Sequence, residues 1–171
     1  MKRLVLLRHA KAVGKDAERD FERVLAPRGR EQMKAMSGHL AEMELDLALV
    51  SPAARTRETW TLARRPEVTT RFDQRIYEAS ERELLKVAQE ADVTATSLVL
   101  VGHNPAFEEL ALDLLRAGEE GDSAEGLRFG FPTAAIAVIE FDIDSWRKLS
   151  RRTGRLMSFE TPATLGLTGG D

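Results

Sequence analysis

The chain has 171 residues, 43% hydrophobic and 31% charged, with a net charge of −3 and a pI near 5.7. That length fits one domain able to bury about two thirds of the surface its unfolded form exposes, and the acidic balance argues against a general nucleic-acid or anionic-membrane binder. The absence of cysteine excludes a disulfide framework, thiolate metal sites and cysteine-nucleophile phosphatases.

A single domain is expected over residues 1–171, with 162–171 a flexible tail. No stretch has the length of a membrane span, and Leu4–Leu7 is too short for a signal sequence before it meets Arg8. A cytoplasmic protein with no membrane or nucleic-acid partner follows, with a monomer favoured.

Leu4–Leu7 has the make-up of a strand buried on both faces. Residues 28–44 place Met33, Met36, Leu40 and Met43 on one face of an amphipathic helix, and 45–50 form the next strand. Ser51 is suited to cap a following helix, with Pro52 in its first turn and Arg55 close to its N-terminus. A short strand and loop lead to "IYEAS", then a helix over 81–90. The run "SLVLV" at 97–101 ends in "GHNP" and leads into another helix.

Residues 117–132, with four glycines and four acidic residues, read as a mobile loop. Residues 136–143 alternate as a half-exposed strand, with a hairpin partner at 156–160 and the basic stretch 147–155 between them. Strands alternating with helices predict an α/β three-layer sandwich with a mostly parallel central sheet and no large cap. Ligands of such sheets bind outside the carboxyl ends of the strands. Arg8 with His9, Ser51 with Arg55, and His103 with Asn104 should converge there.

Histidines and arginines at strand ends suit a phosphoryl group. Guanidinium forks match phosphate oxygens and stay charged. A histidine nitrogen can attack phosphorus in line, giving a phosphohistidine intermediate that water hydrolyses. A second, protonated histidine and the arginines can stabilise the charge without a metal or cofactor.

"LRHAKA", "SPAARTRET" and "LVGHNP", in that order, resemble the histidine phosphatase superfamily, whose fold is phosphoglycerate-mutase-like, and especially its small SixA-type phosphohistidine phosphatases. The likeness spans about residues 3–140 and includes "DFERVLAPRGREQ", "IYEAS" and "FPTAAIAVIEF". It implies His9 as the nucleophile, Arg8 and Arg55 as phosphoryl clamps, and His103 as the second histidine. It also points to Arg23, Asn104 and Thr133 as further phosphate contacts. Val24 and Ala26 stand where the branch often has proline and threonine, which bears on the loop holding Arg23. Larger relatives carry an acidic general acid, for which Glu78 is the nearest candidate here.

The resemblance thus implies, as the leading expectation, a metal-independent phosphatase acting on phosphohistidine in proteins. One alternative is a phosphatase of small phosphomonoesters with Glu78 as general acid. Another is a phosphoprotein-binding module without catalysis. His39 is assigned to a helix face, "FDID" at 141–144 to an edge-strand charge pattern, and 147–155 to a charged connection or a docking patch for an acidic partner.

Overall fold

The computed structural model describes residues 1–16 and 18–167. Six strands form one sheet: β1 (Lys2–Arg8), β2 (Leu47–Val50), β3 (Thr69–Phe72), β4 (Ser97–Gly102), β5 (Ile136–Phe141) and β6 (Arg155–Glu160), in the order β3-β2-β4-β1-β5-β6. The first four run parallel, while β5 and β6 join antiparallel. Five helices cover them: α1 (Pro27–Ala41), α2 (Ala54–Leu62), α3 (Glu81–Gln89), α4 (Ala106–Leu114) and α5 (Asp122–Phe129).

β2, β4 and the centre of β1 are apolar because both sheet faces are covered there, whereas the edge strands β3 and β6 are polar and partly exposed. Val5, Leu7, Val50, Val99 and Val101 pack with Met33, Met36 and Leu40 of α1 and Trp60 of α2. Leu4, Leu6, Leu49, Leu98 and Leu100 point the other way, against Leu84 of α3, Phe107 and Leu110 of α4, and Leu127 of α5. The period-two alternation of strand side chains assigns each residue to one of these layers. A three-layer α/β architecture is the result.

Four expectations are corrected. Residues 122–129 form α5 rather than part of a loop, with Ala124 and Leu127 buried and the acidic Asp122 and Glu125 favourably placed at its positive end. β5 is not half exposed: it lies between β1 and β6, and every residue but Glu140 is buried. Asp142 and Asp144 fall beyond its end, so no edge-strand pattern applies. The tail shortens, because residues 162–167 form a turn in which Leu165 and Leu167 donate backbone hydrogen bonds to Thr161 and Pro162; residues 168–171 lie outside those described.

The basic connection is paired within the molecule. Arg151 meets Glu81 at 2.7 Å and Asp113 at 3.4 Å, Arg155 meets Glu140 at 3.2 Å, and Lys148 meets Asp144 at 2.9 Å. Trp146, at its start, is fully buried and donates from its indole to Ala95 O.

Val24 and Ala26 leave the Arg23 loop well held. Val13 N donates to Val24 O at 3.0 Å and Ala26 N to Lys11 O at 2.9 Å, a short antiparallel ladder that depends on backbone rather than on a particular side chain. Gly29 of α1 makes this approach possible, since a Cβ there would lie 2.1 Å from Lys11 O. Gly29→Ala is therefore expected to lower the unfolding free energy by about 1–3 kcal/mol through overpacking, read as a reduced urea midpoint.

Candidate phosphoryl-transfer site

Register brings the site together. Arg8 pairs with Gly102, and Leu7, Val101 and Val50 stand abreast on β1, β4 and β2. His9 and His103, the next residues after Arg8 and Gly102, therefore leave the sheet side by side, and Ser51, the next after Val50, stands beside Gly102. His9 N donates to Gly102 O and Ser51 N to Val101 O, both at 3.0 Å, so the alignment persists past the strands. The imidazole centroids of His9 and His103 are 5.4 Å apart.

His9 is held from behind. Ala10 N donates to Thr59 Oγ1 at 3.0 Å, Lys11 N donates to Gln32 Oε1 at 2.8 Å, and Gln32 Nε2 donates to Thr133 Oγ1 at 3.1 Å. His9 Nδ1 lies 2.7 Å from Ala10 O. A carbonyl can only accept, so Nδ1 carries the proton and the lone pair of the neutral ring resides on Nε2.

Burial is the main reason that the His9 pKa falls to about 3; the Ala10 hydrogen bond opposes it, while His103, Arg55 and Arg8 reinforce it. The His103 pKa also falls to about 3, first through burial and then through Arg55. Both rings are thus neutral at neutral pH. In the substrate-free molecule the charge on His103 is thus suppressed.

Ser51 also departs from expectation. The helix begins three residues later, at Ala54, and its N-cap residue Ala53 supplies no side-chain cap. Ser51 is fully buried, and its Oγ lies 2.8 Å from His103 Nε2. Asn104 donates to Phe131 O at 2.8 Å and accepts from Glu108 N at 3.2 Å, so both ends of its amide are engaged within the protein. Arg8 Nη1 donates to the same Phe131 O at 2.9 Å. Thr133 is buried immediately before Ala134, whose φ of 62° lets its amide reach both Arg8 O and His9 O.

Arg55, with only 7% of its side chain exposed, donates to Asp20 O at 2.7 Å and to Asp20 Oδ2 at 3.2 Å. Its buried Nε has no hydrogen-bond partner among the described residues, nor has His103 Nδ1. Arg23 grips Asp20 Oδ1 through Nε and Nη2 and reaches Val13 O through Nη1. Tyr77 donates to Asp20 Oδ2 at 2.6 Å and sets its ring edge-on to His103, with centroids 5.7 Å apart.

Asp20 is thereby kept ionised, its pKa driven well below the usual carboxylate range by the Tyr77 hydrogen bond first and then by Arg23 and Arg55. Burial and Asp20 push Tyr77 up to about 12, so its hydroxyl keeps its proton. Glu78 is exposed, and no hydrogen bond or ion pair joins it to the two histidines, Arg8 or Arg55. From "IYEAS" it is Tyr77, not Glu78, that reaches the site, and Ser80 ends this segment by capping α3, accepting from Glu83 N.

Asp20, Tyr77 and Gln32 were not singled out from the sequence. Asp20 stands three residues before Arg23 in the "DFER" stretch, and Tyr77 directly before Glu78; both lay inside segments read for another residue. Gln32 had no local signal, since its partners are 21 and 101 residues away.

The protein has a phosphoglycerate-mutase-like three-layer α/β fold, with two neutral histidines and several arginines at the carboxyl edge of its parallel strands. The family model of the histidine phosphatase superfamily (branch 1) matches residues 4–92, and the chain belongs to that superfamily. An uncharacterized protein of Mycobacterium tuberculosis (strain H37Rv) is 31% identical, covering 91% of this chain and 99% of its own. Two solved structures are similar. One is the candidate phosphohistidine phosphatase SixA of Nakamurella multipartitia (26% identity, TM-score 0.83, 94% of this chain and 96% of that one). The other is its counterpart from Agrobacterium tumefaciens (30% identity, TM-score 0.74, 94% and 98%). No helix among the described residues is long and apolar enough to cross a membrane.

The two histidines make stability depend on pH. Unfolded, each ring takes up a proton near its ordinary value of 6.5, but folded only near 3. Their contribution is therefore complete above the unfolded value and declines as pH falls toward the folded one. The urea midpoint should fall between about pH 7 and about pH 4, and less steeply in His9→Asn, which has one such ring fewer.

Proposed function

We propose that this protein is a phosphatase that removes phosphoryl groups from histidines of other proteins through a phosphohistidine intermediate on His9. His9 Nε2 attacks phosphorus as the substrate's P–N bond breaks. The departing ring, protonated by solvent on its other nitrogen, leaves as neutral imidazole. Water then attacks phospho-His9, releasing phosphate and returning the electron pair to Nε2. Arg8 and Arg55 hold the equatorial oxygens, with Arg55 Nε one of the donors aimed at them. The incoming negative charge favours protonation of His103, which then stabilises the transferring group.

The state of Asp20 carries this choice of substrate. It is the carboxylate in contact with the site, and Arg55, Arg23 and Tyr77 lock it in its ionised form. A phosphomonoester needs a proton delivered to its leaving alkoxide, whereas an imidazole has a far lower pKa and leaves without a positioned carboxylic acid. The likeness to the two SixA structures supports the same reading.

The test is kcat/KM on a histidine-phosphorylated protein against a panel of phosphomonoesters. Expected is a preference of at least about a hundredfold for the phosphohistidine protein, abolished by His9→Ala and reduced by about 100- to 1,000-fold in Arg55→Ala. Chelators should leave the rate unchanged, and so should Glu78→Gln. Faster turnover of the esters, lost in Glu78→Gln, would overturn the proposal in favour of a small-ester phosphatase. Binding of the phosphoprotein without turnover would favour the non-catalytic module.

A further inference from the structure

Beside the phosphoryl site runs an apolar groove of about 700 Å³, between α5, the end of β6 and the turn after it. Phe129, Phe131, Pro132, Phe159 and Ala163 supply its apolar surface. Phe131 and Phe159 are buried and pack edge to face, with centroids 5.4 Å apart. Phe129 does the opposite: at the last position of α5 its ring is 98% exposed. A phenylalanine held fully in water serves no purpose in the core, and exposed aromatics beside a cleft mark binding surfaces.

Two observations tie the groove to the site. Phe131 forms its wall, and the carbonyl of that residue receives both Arg8 Nη1 and Asn104 Nδ2. Register gives the second: Leu7 pairs with Ile136, and Ile136 with Glu160. Glu160, on the groove, is thus two strands from the end of β1 on the same sheet edge, a separation of about 10 Å. A residue that presents its side chain to His9 brings its own neighbours over the groove. The charge of the groove narrows the partner. Asp122 and Glu160 line it, and among the described residues no lysine or arginine does.

We propose that the groove seats the polypeptide surrounding the substrate's phosphohistidine, and that it selects a surface bearing apolar side chains flanked by lysine or arginine. The inference rests on the phosphohistidine reading of the site and adds the surface by which the partner is recognised. The phosphoryl group would be gripped by the arginines on one side, and the apolar and basic side chains by the phenylalanines and carboxylates on the other.

Three probes test it: a phosphohistidyl peptide with leucines and lysines near the modified residue, the same peptide with serines in place of the leucines, and free phosphohistidine. The wild type is expected to favour the leucine peptide over the serine peptide by at least about tenfold in kcat/KM, chiefly through KM. Phe129→Ala, which removes an exposed ring and no core contact, should abolish that preference. Turnover of free phosphohistidine should not change. Asp122→Asn combined with Glu160→Gln should weaken the leucine peptide further and remove its salt dependence. Equal turnover of both peptides by the wild type, or a preference that survives in Phe129→Ala, would overturn the docking surface while leaving the phosphohistidine reading intact. Failure of the wild type on all three probes, with turnover of aryl phosphates that depends on Phe129, would overturn both and assign the groove to an apolar small-molecule leaving group.

Discussion

A guanidinium cannot shed its charge, so burying one obliges the protein to hold a counter-charge against it. Arg55 sets that obligation here, and Asp20 meets it with a backbone carbonyl and a carboxylate oxygen. The loop carrying Asp20 is thereby drawn over the carboxyl edge of the sheet, bringing Arg23 with it. Tyr77 completes the set and lays its ring against His103. The same positive charge, added to burial, keeps both imidazoles neutral. One buried cation thus orders the surrounding loop and helps to keep His9 Nε2 unprotonated.

The sheet supplies the precision. Parallel pairing of β1 and β4 releases His9 and His103 from adjacent strands at one level, with Ser51 of β2 one position below them. Phosphoryl transfer asks little covalent work of a protein beyond such positioning and charge stabilisation. A second tier keeps His9 in place: Thr59 and Gln32 accept from the two amides after it, and Ala10 O fixes its tautomer. Ala134 adopts a left-handed backbone so that one amide can serve the carbonyls of both Arg8 and His9. Such a conformation costs about 1–3 kcal/mol for a residue with a side chain, and persists where surrounding contacts dictate it.

What the sequence made legible was whatever repeats locally. Apolar runs ending in RH, SP and GHNP mark strand ends, and in a parallel sheet strand ends share an edge, so His9, Arg55 and His103 could be brought together before any coordinates. Interactions across long separations were not legible. Asp20 meets Tyr77 57 residues away, and Gln32 reaches Thr133 over 101; neither pairing has a periodic signature. Glycines and acids at 117–132 hid α5, whose stability comes from Leu127 in the core rather than from helix propensity. Alternation in β5 misled for a related reason: Glu140 is its one residue left partly exposed and is neutralised by Arg3 and Arg155, while Asp142 lies past its end.

The account stands or falls on a covalent intermediate at His9. The most direct measurement is rapid quenching of the enzyme mixed with a 32P-phosphohistidine protein, followed by peptide mapping under alkaline conditions. The label is expected on the peptide containing His9, stable in alkali and lost in acid, as a phosphoramidate should be, and absent from His9→Ala. Turnover of the substrate with no label on His9, or label on another residue, would contradict it.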